Sequence, residues 1–487
     1  MPSRLSIAIA SAEAAPLAKT GGLGDVTAAL TRELARRGED VRLFLPFYST
    51  IDRSLVDGAV RVDFLQRMPV ELGGRRLEMS IWTTRLPGDP SPAIYLVDCP
   101  PLYHRDAIYT QGSDEALRFA YFSRAVVESC QRMGWGPDVV HCNDWHTALL
   151  PLYLATDYSW DRLFAATGTL LTIHNIAYQG VFDIDLLESL GLDDRRDSLD
   201  RDDLAAGRFN FLKTGILHAD LLSTVSPTHA REIRSPEYGM GLEGLLRARS
   251  SDLVGILNGV DYAVWDPATD PYLPHNYSPD DLSGKRRTKQ VVMAEAGLSG
   301  DESTPLLGIV SRLTAQKGFD LAFDILPGAL RVSDLRLLAL GTGERRYEGF
   351  FEALQKAHPG RVVFHRGYSE RLAHQVEAAA DIFLMPSRYE PCGLNQMYSL
   401  KYGTPPIVRA TGGLADSVEP WDGERGTGFV FEHFTADGLA WALDRALTVF
   451  RDRDAWRRLM TNGMRRDFSW QRQVGAYADL YRRLAAG

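Results

Sequence analysis

Apolar and polar positions alternate between two registers along the chain. Short apolar runs bounded by turn residues lie at Leu5–Ala10, Val41–Leu45, Ala93–Val97, Val139–Cys142, Thr169–Ile173 and Leu221–Val225, and each predicts a strand. Helical patterns fall between them. After the first run, Leu23, Val26, Leu30 and Leu34 recur at spacings of three and four, which puts one apolar stripe against a sheet. This order predicts βαβ units and a parallel sheet. The pattern restarts after Pro305 with Leu306–Val310, Leu335–Leu340, Val362–His365, Ile382–Met385 and Pro406–Val408. The expected fold is α/β, two Rossmann-like doubly wound domains facing a central cleft, over residues 1–255 and 256–460. Asn258-Gly259-Val260-Asp261 reads as the crossing turn. Within residues 461–487, Trp470, Val474, Tyr477, Leu480, Tyr481 and Leu484 form a last helical stripe of core-packing type, and this C-terminal helix is expected to pack back on the first domain. Ligands of parallel sheets sit beyond the strand carboxyl ends, so chemistry is sought in the loops that follow strands.

Composition narrows the classes. A chain of 487 residues with 45% hydrophobic and 24% charged residues is a globular, soluble type with room for two large cores. A net charge of -9 argues against a nucleic-acid partner. Cys99, Cys130, Cys142 and Cys392 form no Cys-x-x-Cys pair, so neither a disulfide framework nor a zinc ribbon is expected, which fits a reducing cytosol. The first strand begins by about Leu5, leaving no room for a leader, and no apolar run has spanning length. A cytoplasmic protein without a membrane partner is expected, and the polar stretch Asp193–Asp203 reads as a surface loop.

Four loops carry candidate chemistry. Lys19-Thr-Gly-Gly-Leu-Gly-Asp25 lies between the first strand and its helix, where backbone N–H groups and the helix dipole favour an anion. It lacks glycine at position 27, which the dinucleotide fingerprint requires, and its lysine precedes the glycines, unlike a P-loop. A phosphate loop and a tight turn with a solvated lysine are equal alternatives on this motif alone. Ser311 to Gly318 places Arg312 and Lys317 where a diphosphate could be gripped by a planar fork and a point charge; singly, each could equally be solvated. Ser387 to Leu394 places Glu390 at an expected helix start, to accept from sugar hydroxyls or simply to cap the helix. His174 to Gly180 follows Thr169–Ile173, with a lone histidine that is ordinarily a satisfied core or surface residue. His141 and His146 are five apart, wrong for two ligands on one helical face, so no metal is expected. Gly341-Thr342-Gly343 and Thr411-Gly412-Gly413-Leu414 are read as turns after strands that can bring N–H groups close to a ligand.

Six motifs in order, from Lys-Thr-Gly-Gly-Leu-Gly-Asp-Val through His-Asn-Ile-Ala-Tyr-Gln-Gly, Ile-Leu-Asn-Gly-Val-Asp, Ser-Arg-Leu-Thr-x-Gln-Lys-Gly and Pro-Ser-Arg-Tyr-Glu-Pro-Cys-Gly-Leu to Thr-Gly-Gly-Leu, resemble the bacterial glycogen synthase and plant starch synthase family, over nearly the whole chain. These are retaining glucosyltransferases of the GT-B architecture. The resemblance implies transfer of glucose from ADP-glucose to the non-reducing end of an α-1,4-glucan primer, with no cofactor and no metal. It implies that Lys19, Gly21, Gly22, Asn258, Gly341, Cys392, Gly393, Leu394, Thr411 and Gly412 hold the donor, with Arg312 and Lys317 on its diphosphate and Glu390 on glucosyl hydroxyls. His174 then flanks the anomeric centre, and Asp25, Asp144, Asn175, Tyr178 and Gln179 line the acceptor side. The wider GT-B group often carries a second glutamate where this chain has Tyr398, which favours front-face substitution over a two-carboxylate route. Competing readings are a UDP-glucose-dependent glucosyltransferase, a sugar-nucleotide epimerase, a glucan phosphorylase and a catalytically silent glucan binder. The oligomeric state is not legible in the sequence.

Overall fold

The structure, a computed structural model, describes residues 4–110 and 112–486. They divide into two compact units: the described residues within 4–225, 230–259 and 470–486 form unit 1, and residues 226–229 and 260–469 form unit 2.

In unit 1 the sheet runs from Leu253–Gly255 through Leu221–Thr224, Gly168–Ile173, Val139–Asn143, Ser6–Ala10 and Asp40–Pro46 to Ala93–Asp98, all parallel. The chain therefore starts at the sheet centre and reverses its winding between Ser6–Ala10 and Val139–Asn143, the point where ligands of doubly wound sheets bind. The helix Gly22–Arg36 buries Leu23, Val26, Leu30 and Leu34 on the stripe that its spacing predicts. Each such side chain contributes about 1.5–3 kcal/mol by leaving water. The final helix, Trp470–Ala485, buries Trp470, Val474, Tyr477 and Tyr481 in the unit 1 core. Its Leu484 lies where a Cβ on Gly168 would come within 2.8 Å, so that strand starts with glycine.

The sheet is not purely parallel. Arg75–Arg85 pairs antiparallel with Ala93–Asp98, carries Met68–Leu72 on one part of its edge and ends the sheet at Val60–Arg61. The charges at Arg75, Arg76 and Glu78 interrupt any apolar run there, so periodicity alone misses this strand. The stretch Asp193–Asp203 is not a loop but a 3-10 helix, Asp193–Ser198, followed by Arg201–Ala205. Asp200 caps the second helix and, with Asp203, holds Lys213 at 2.7 and 3.1 Å.

Unit 2 orders its six strands, numbered along the chain, 3-2-1-4-5-6, from Val362–Arg366 to Phe429–Phe431. Its winding reverses between Leu306–Leu313 and Ile382–Met385. The first two strands outrun their apolar stretches, with Ser311, Arg312 and Leu313 paired to Gly341, Thr342 and Gly343. Arg312 and Gly341-Thr342-Gly343 thus lie on strands rather than in turns after them. A Cβ at Gly341 or Gly343 would stand 2.2 Å from the carbonyl oxygen of Ser311 or Leu313, so glycine is what permits the extension.

Candidate active site

The reversal point of unit 1 is built around an unpredicted carboxylate. Glu13, 3% exposed, lies just past strand Ser6–Ala10. It accepts from the backbone N–H groups of Thr20 at 2.6 Å and Gly21 at 3.1 Å, from Thr20 Oγ1 at 2.8 Å and from Tyr109 Oη at 2.7 Å. An internal anion therefore already occupies part of the nest that the glycine turn forms, and the Gly21 N–H is committed to it. What is left for an external anion is the start of helix Gly22–Arg36, whose N-cap Gly21 brings no side-chain cap. Lys19 Nζ, on the exposed side of the same loop, is 2.9 Å from Asp25 Oδ1.

The neighbouring strand ends deliver Asp144 and His174. Asp144 sits at φ +56, a left-handed conformation that costs a non-glycine residue about 1–2 kcal/mol. Its Oδ1 accepts from the N–H of His174 at 2.7 Å and of Asn175 at 3.3 Å. His174 Nε2 is 2.9 Å from Asn143 Oδ1, which can only accept, so Nε2 carries the proton. Asn143 is itself fixed by donating Nδ2 to the Ala10 carbonyl at 3.0 Å. Burial pushes the Asp144 carboxyl up to about 7, against the pull of the two N–H groups. Burial holds His174 down at about 3, so the imidazole is neutral at pH 7. Gln179 is spent inside the unit, donating to the carbonyls of Ile176 and Met240 and accepting from Asn210 Nδ2 at 2.6 Å. Tyr178 is exposed, and Asn175 Oδ1 accepts from the Ala177 N–H. Asn258 is buried, its Oδ1 without a partner among the described residues.

These buried rings set an acid response. His141 and His146, like His174, are held at about 3 by burial, against an ordinary 6.5. The unfolded chain therefore takes up their protons first as pH falls below 6.5. The stability carried by the neutral rings is whole above that value and drains as pH falls toward 3. Asp144, raised from 3.8 to about 7, works oppositely, contributing most below 3.8 and least above 7. Glu377, which burial raises well above its ordinary 4.5, works as Asp144 does, so three rings face two carboxyls and the urea-unfolding free energy is expected to fall by on the order of 1 kcal/mol per pH unit between pH 6.5 and 4. Urea titrations at pH 7, 6 and 5 check this, and a flat profile contradicts it.

At the reversal point of unit 2, Lys317 ends a single 3-10 turn, Ala315–Lys317, closed by Gly318 at φ +71. Its Nζ donates to Glu390 Oε2 at 2.7 Å, and Ser387 Oγ donates to the same oxygen at 3.0 Å. Glu390 is 5% exposed. It stands in an extended loop five residues ahead of helix Asn395–Lys401, so it is not the capping acid that the helix-start reading allows; its charge is balanced by Lys317 instead. Arg312, on the end of its strand, is exposed and has no side-chain partner among the described residues.

The loop around Glu390 is pinned from behind. Ser226 Oγ donates to the Pro391 carbonyl at 2.7 Å, and the Gly413 N–H donates to the Glu390 carbonyl at 3.1 Å. The Thr411 N–H goes to the Arg409 carbonyl. The Thr411–Leu414 turn therefore supports Glu390 through the Gly413 N–H, and neither this group nor the Thr411 N–H is left over for a ligand. Gly393 adopts φ +71, Gln396 Nε2 donates to the carbonyls of Cys392 and Gly393, and Leu394 is the uncapped N-cap of helix Asn395–Lys401. Tyr398, where a second glutamate stands in the wider group, stacks on Trp265 at 4.0 Å and 3°.

Glu13, Asn143 and Ser387 are the residues that sequence reasoning leaves unassigned. Glu13 is the lone charge between Leu5 and Ala18, a usable signal. Asn143 and Ser387 lie inside inspected motifs but bear no charge to mark them.

Residues 6–248 match the model of the starch synthase catalytic domain, and residues 296–459 match that of group 1 glycosyl transferases. A glycogen synthase of Anaeromyxobacter dehalogenans (strain 2CP-C) is 45% identical over 490 residues, covering 99% of this chain and 100% of that protein. A glycogen synthase of Aromatoleum aromaticum is 46% identical over 494 residues, 98% of this chain and 97% of the relative. Among solved structures, the catalytic domain of starch synthase IV from Arabidopsis thaliana bound to ADP and acarbose superposes with a TM-score of 0.91 at 34% identity, each chain fully covered. Sucrose-phosphate synthase from Thermosynechococcus elongatus, at TM-score 0.63 and 20% identity over 99% of this chain and all of the other, shares the two-domain fold. With matches that together span most of its length and relatives this similar end to end, the chain belongs to the glycogen synthase and starch synthase family of glycosyltransferases.

Proposed function

We propose that this protein is an ADP-glucose-dependent glycogen synthase, adding glucose to the non-reducing end of an α-1,4-glucan with retention of configuration. The observation that carries the reading is the Lys317–Glu390 pair, together with an exposed Arg312 that has no side-chain partner among the described residues, in a relative of a starch synthase bound to ADP. Arg312 and Lys317 take the donor diphosphate, Glu390 the glucosyl hydroxyls, and Lys19 with the N-terminus of helix Gly22–Arg36 a second part of the same donor. Gly22, Cys392, Gly393 and Leu394 contribute backbone, Asn258 and Gly341 line the donor, and Thr411 and Gly412 act through Glu390. Asp25, Asp144, Asn175, Tyr178 and Gln179 belong to the acceptor side.

The bond from the glucosyl C1 to the phosphate oxygen breaks as the acceptor O4 bonds to C1 on the same face. The departing phosphate oxygen takes the acceptor proton, and the two cations stabilise its charge. The neutral His174 ring, held by Asn143, lies against the anomeric centre without adding a charge. Stacking of Tyr398 on Trp265 supports a route with no second carboxylate. No step calls for a cofactor or metal, and the setting is the cytoplasm.

A donor panel tests this. ADP-glucose with a glucan primer is expected to release ADP and lengthen the primer, with UDP-glucose turned over far more slowly. Folded protein that releases no nucleotide from any sugar nucleotide overturns the reading. A free altered sugar formed without primer makes it an epimerase.

A further inference from the structure

A groove of about 540 Å³ lies in unit 2 between the helices Ala436–Arg451 and Arg453–Met464 and the loop at Trp421 and Gly423. None of its lining residues takes part in the site above. Its prominent feature is Trp441, 54% exposed on a helix whose other large apolar side chains mostly turn inward. The ring is braced: Arg445, one turn on, places its guanidinium 5.8 Å from an indole centroid and donates Nη2 to the Trp421 carbonyl at 2.8 Å. Around it stand Asp444, Thr448, Asp452 and Arg458. Asp452 uses Oδ1 to cap the following helix.

The charge balance identifies the ligand class. Two carboxylates and two guanidinium groups cancel, so the groove presents no net field to draw in a polyanion or a polycation. What fits an exposed indole face bordered by planar, bidentate hydrogen-bonding groups is a neutral ring with an apolar face and a hydroxyl rim, a pyranose. The volume falls among small-ligand grooves, roughly 300–1,000 Å³, and accommodates a few sugar rings.

We infer that Trp441, with Asp444, Arg445 and Asp452, forms an anchoring site for internal glucose units of an α-glucan, separate from the transfer site; the choice of glucan rests on the acceptor reading above. An anchor of this kind raises the effective concentration of chain ends borne by the same polymer and does nothing for a short acceptor.

Trp441→Ala tests it, because the exposed side chain can be removed without opening the core. Retardation of the purified protein in native gels containing glycogen is expected to weaken about ten-fold in apparent Kd, and KM for glycogen is expected to rise several-fold, while kcat and KM with maltotriose stay at wild-type values. Trp441→Tyr keeps a stacking face and is expected to restore most of the retardation. Unchanged retardation of Trp441→Ala overturns the proposal, as does an equal loss with maltotriose. Absence of ADP release by the wild-type protein sinks the functional reading instead, and the gel still decides the groove.

Discussion

Arg312→Ala is expected to lower kcat by about 10²- to 10³-fold and to leave unfolding within about 0.5 kcal/mol of the parent. Its guanidinium is exposed and unpartnered among the described residues, so the fold loses no interaction with it. The backbone that carries it stays paired to Thr342. Lys317→Ala is expected to match that loss of turnover and to add a stability cost that Arg312→Ala lacks. It strands Glu390, 5% exposed, without its counter-ion, which for a buried pair costs about 3–5 kcal/mol. Ser387 Oγ offsets part of this. Steady-state ADP release combined with urea unfolding separates the two cations. Near-normal turnover in both variants would mean that neither cation acts on the donor, Lys317 serving only as the counter-ion of Glu390.

Gly412→Ala is expected to damage the site without touching a functional side chain. Gly412 adopts φ +43, and a Cβ there would lie 1.9 Å from the Glu390 carbonyl oxygen. Either the turn 411–414 or the 390–392 loop must move, at a cost of about 3 kcal/mol or more. Glu390 then leaves Lys317 although both side chains remain. We expect kcat to fall by at least about ten-fold and the unfolding midpoint to drop with it. Parental stability and turnover in this variant would show that the turn yields freely and that Glu390 is held by its side-chain contacts alone.

Much of the architecture is legible from spacing. The strands at Ile382–Met385 and Ser6–Ala10 and the stripe Leu23, Val26, Leu30, Leu34 are found because apolar side chains repeat with the period of their element. The strand through Arg312 ends later than its apolar run because two glycines let backbones close on each other, a fact about distance that hydropathy does not register. The strand Arg75–Arg85 hides for a related reason: its solvent-facing charges erase the pattern.

The candidate site divides along the same line. Lys317 and Glu390 are 73 positions apart in the chain and meet at 2.7 Å, and both stand in motifs that single them out by charge and by glycine neighbours. The commitments of Glu13 to Thr20 and Gly21, of Gly413 to Glu390 and of Asn143 to His174 are hydrogen bonds to backbone, amide or ring groups, the first within one loop and the others between separate segments. Apart from the isolated charge of Glu13, no local pattern announces them, and they decide which N–H groups remain for a ligand.

Both sheets end in short strands. Unit 1 closes on Val60–Arg61 and the five residues Met68–Leu72 at one side and on the three residues Leu253–Gly255 at the other, and Arg61 lies over the Trp82 ring. Unit 2 closes on Val362–Arg366 and Phe429–Phe431. A growing cross-β template needs a run of unpaired N–H and carbonyl groups to copy, and these rims offer only a few residues each, two of them ending in arginine. Copies of this enzyme crowded around one polysaccharide particle would therefore find little backbone to pair with in each other, and could be stored at high local density in the folded state.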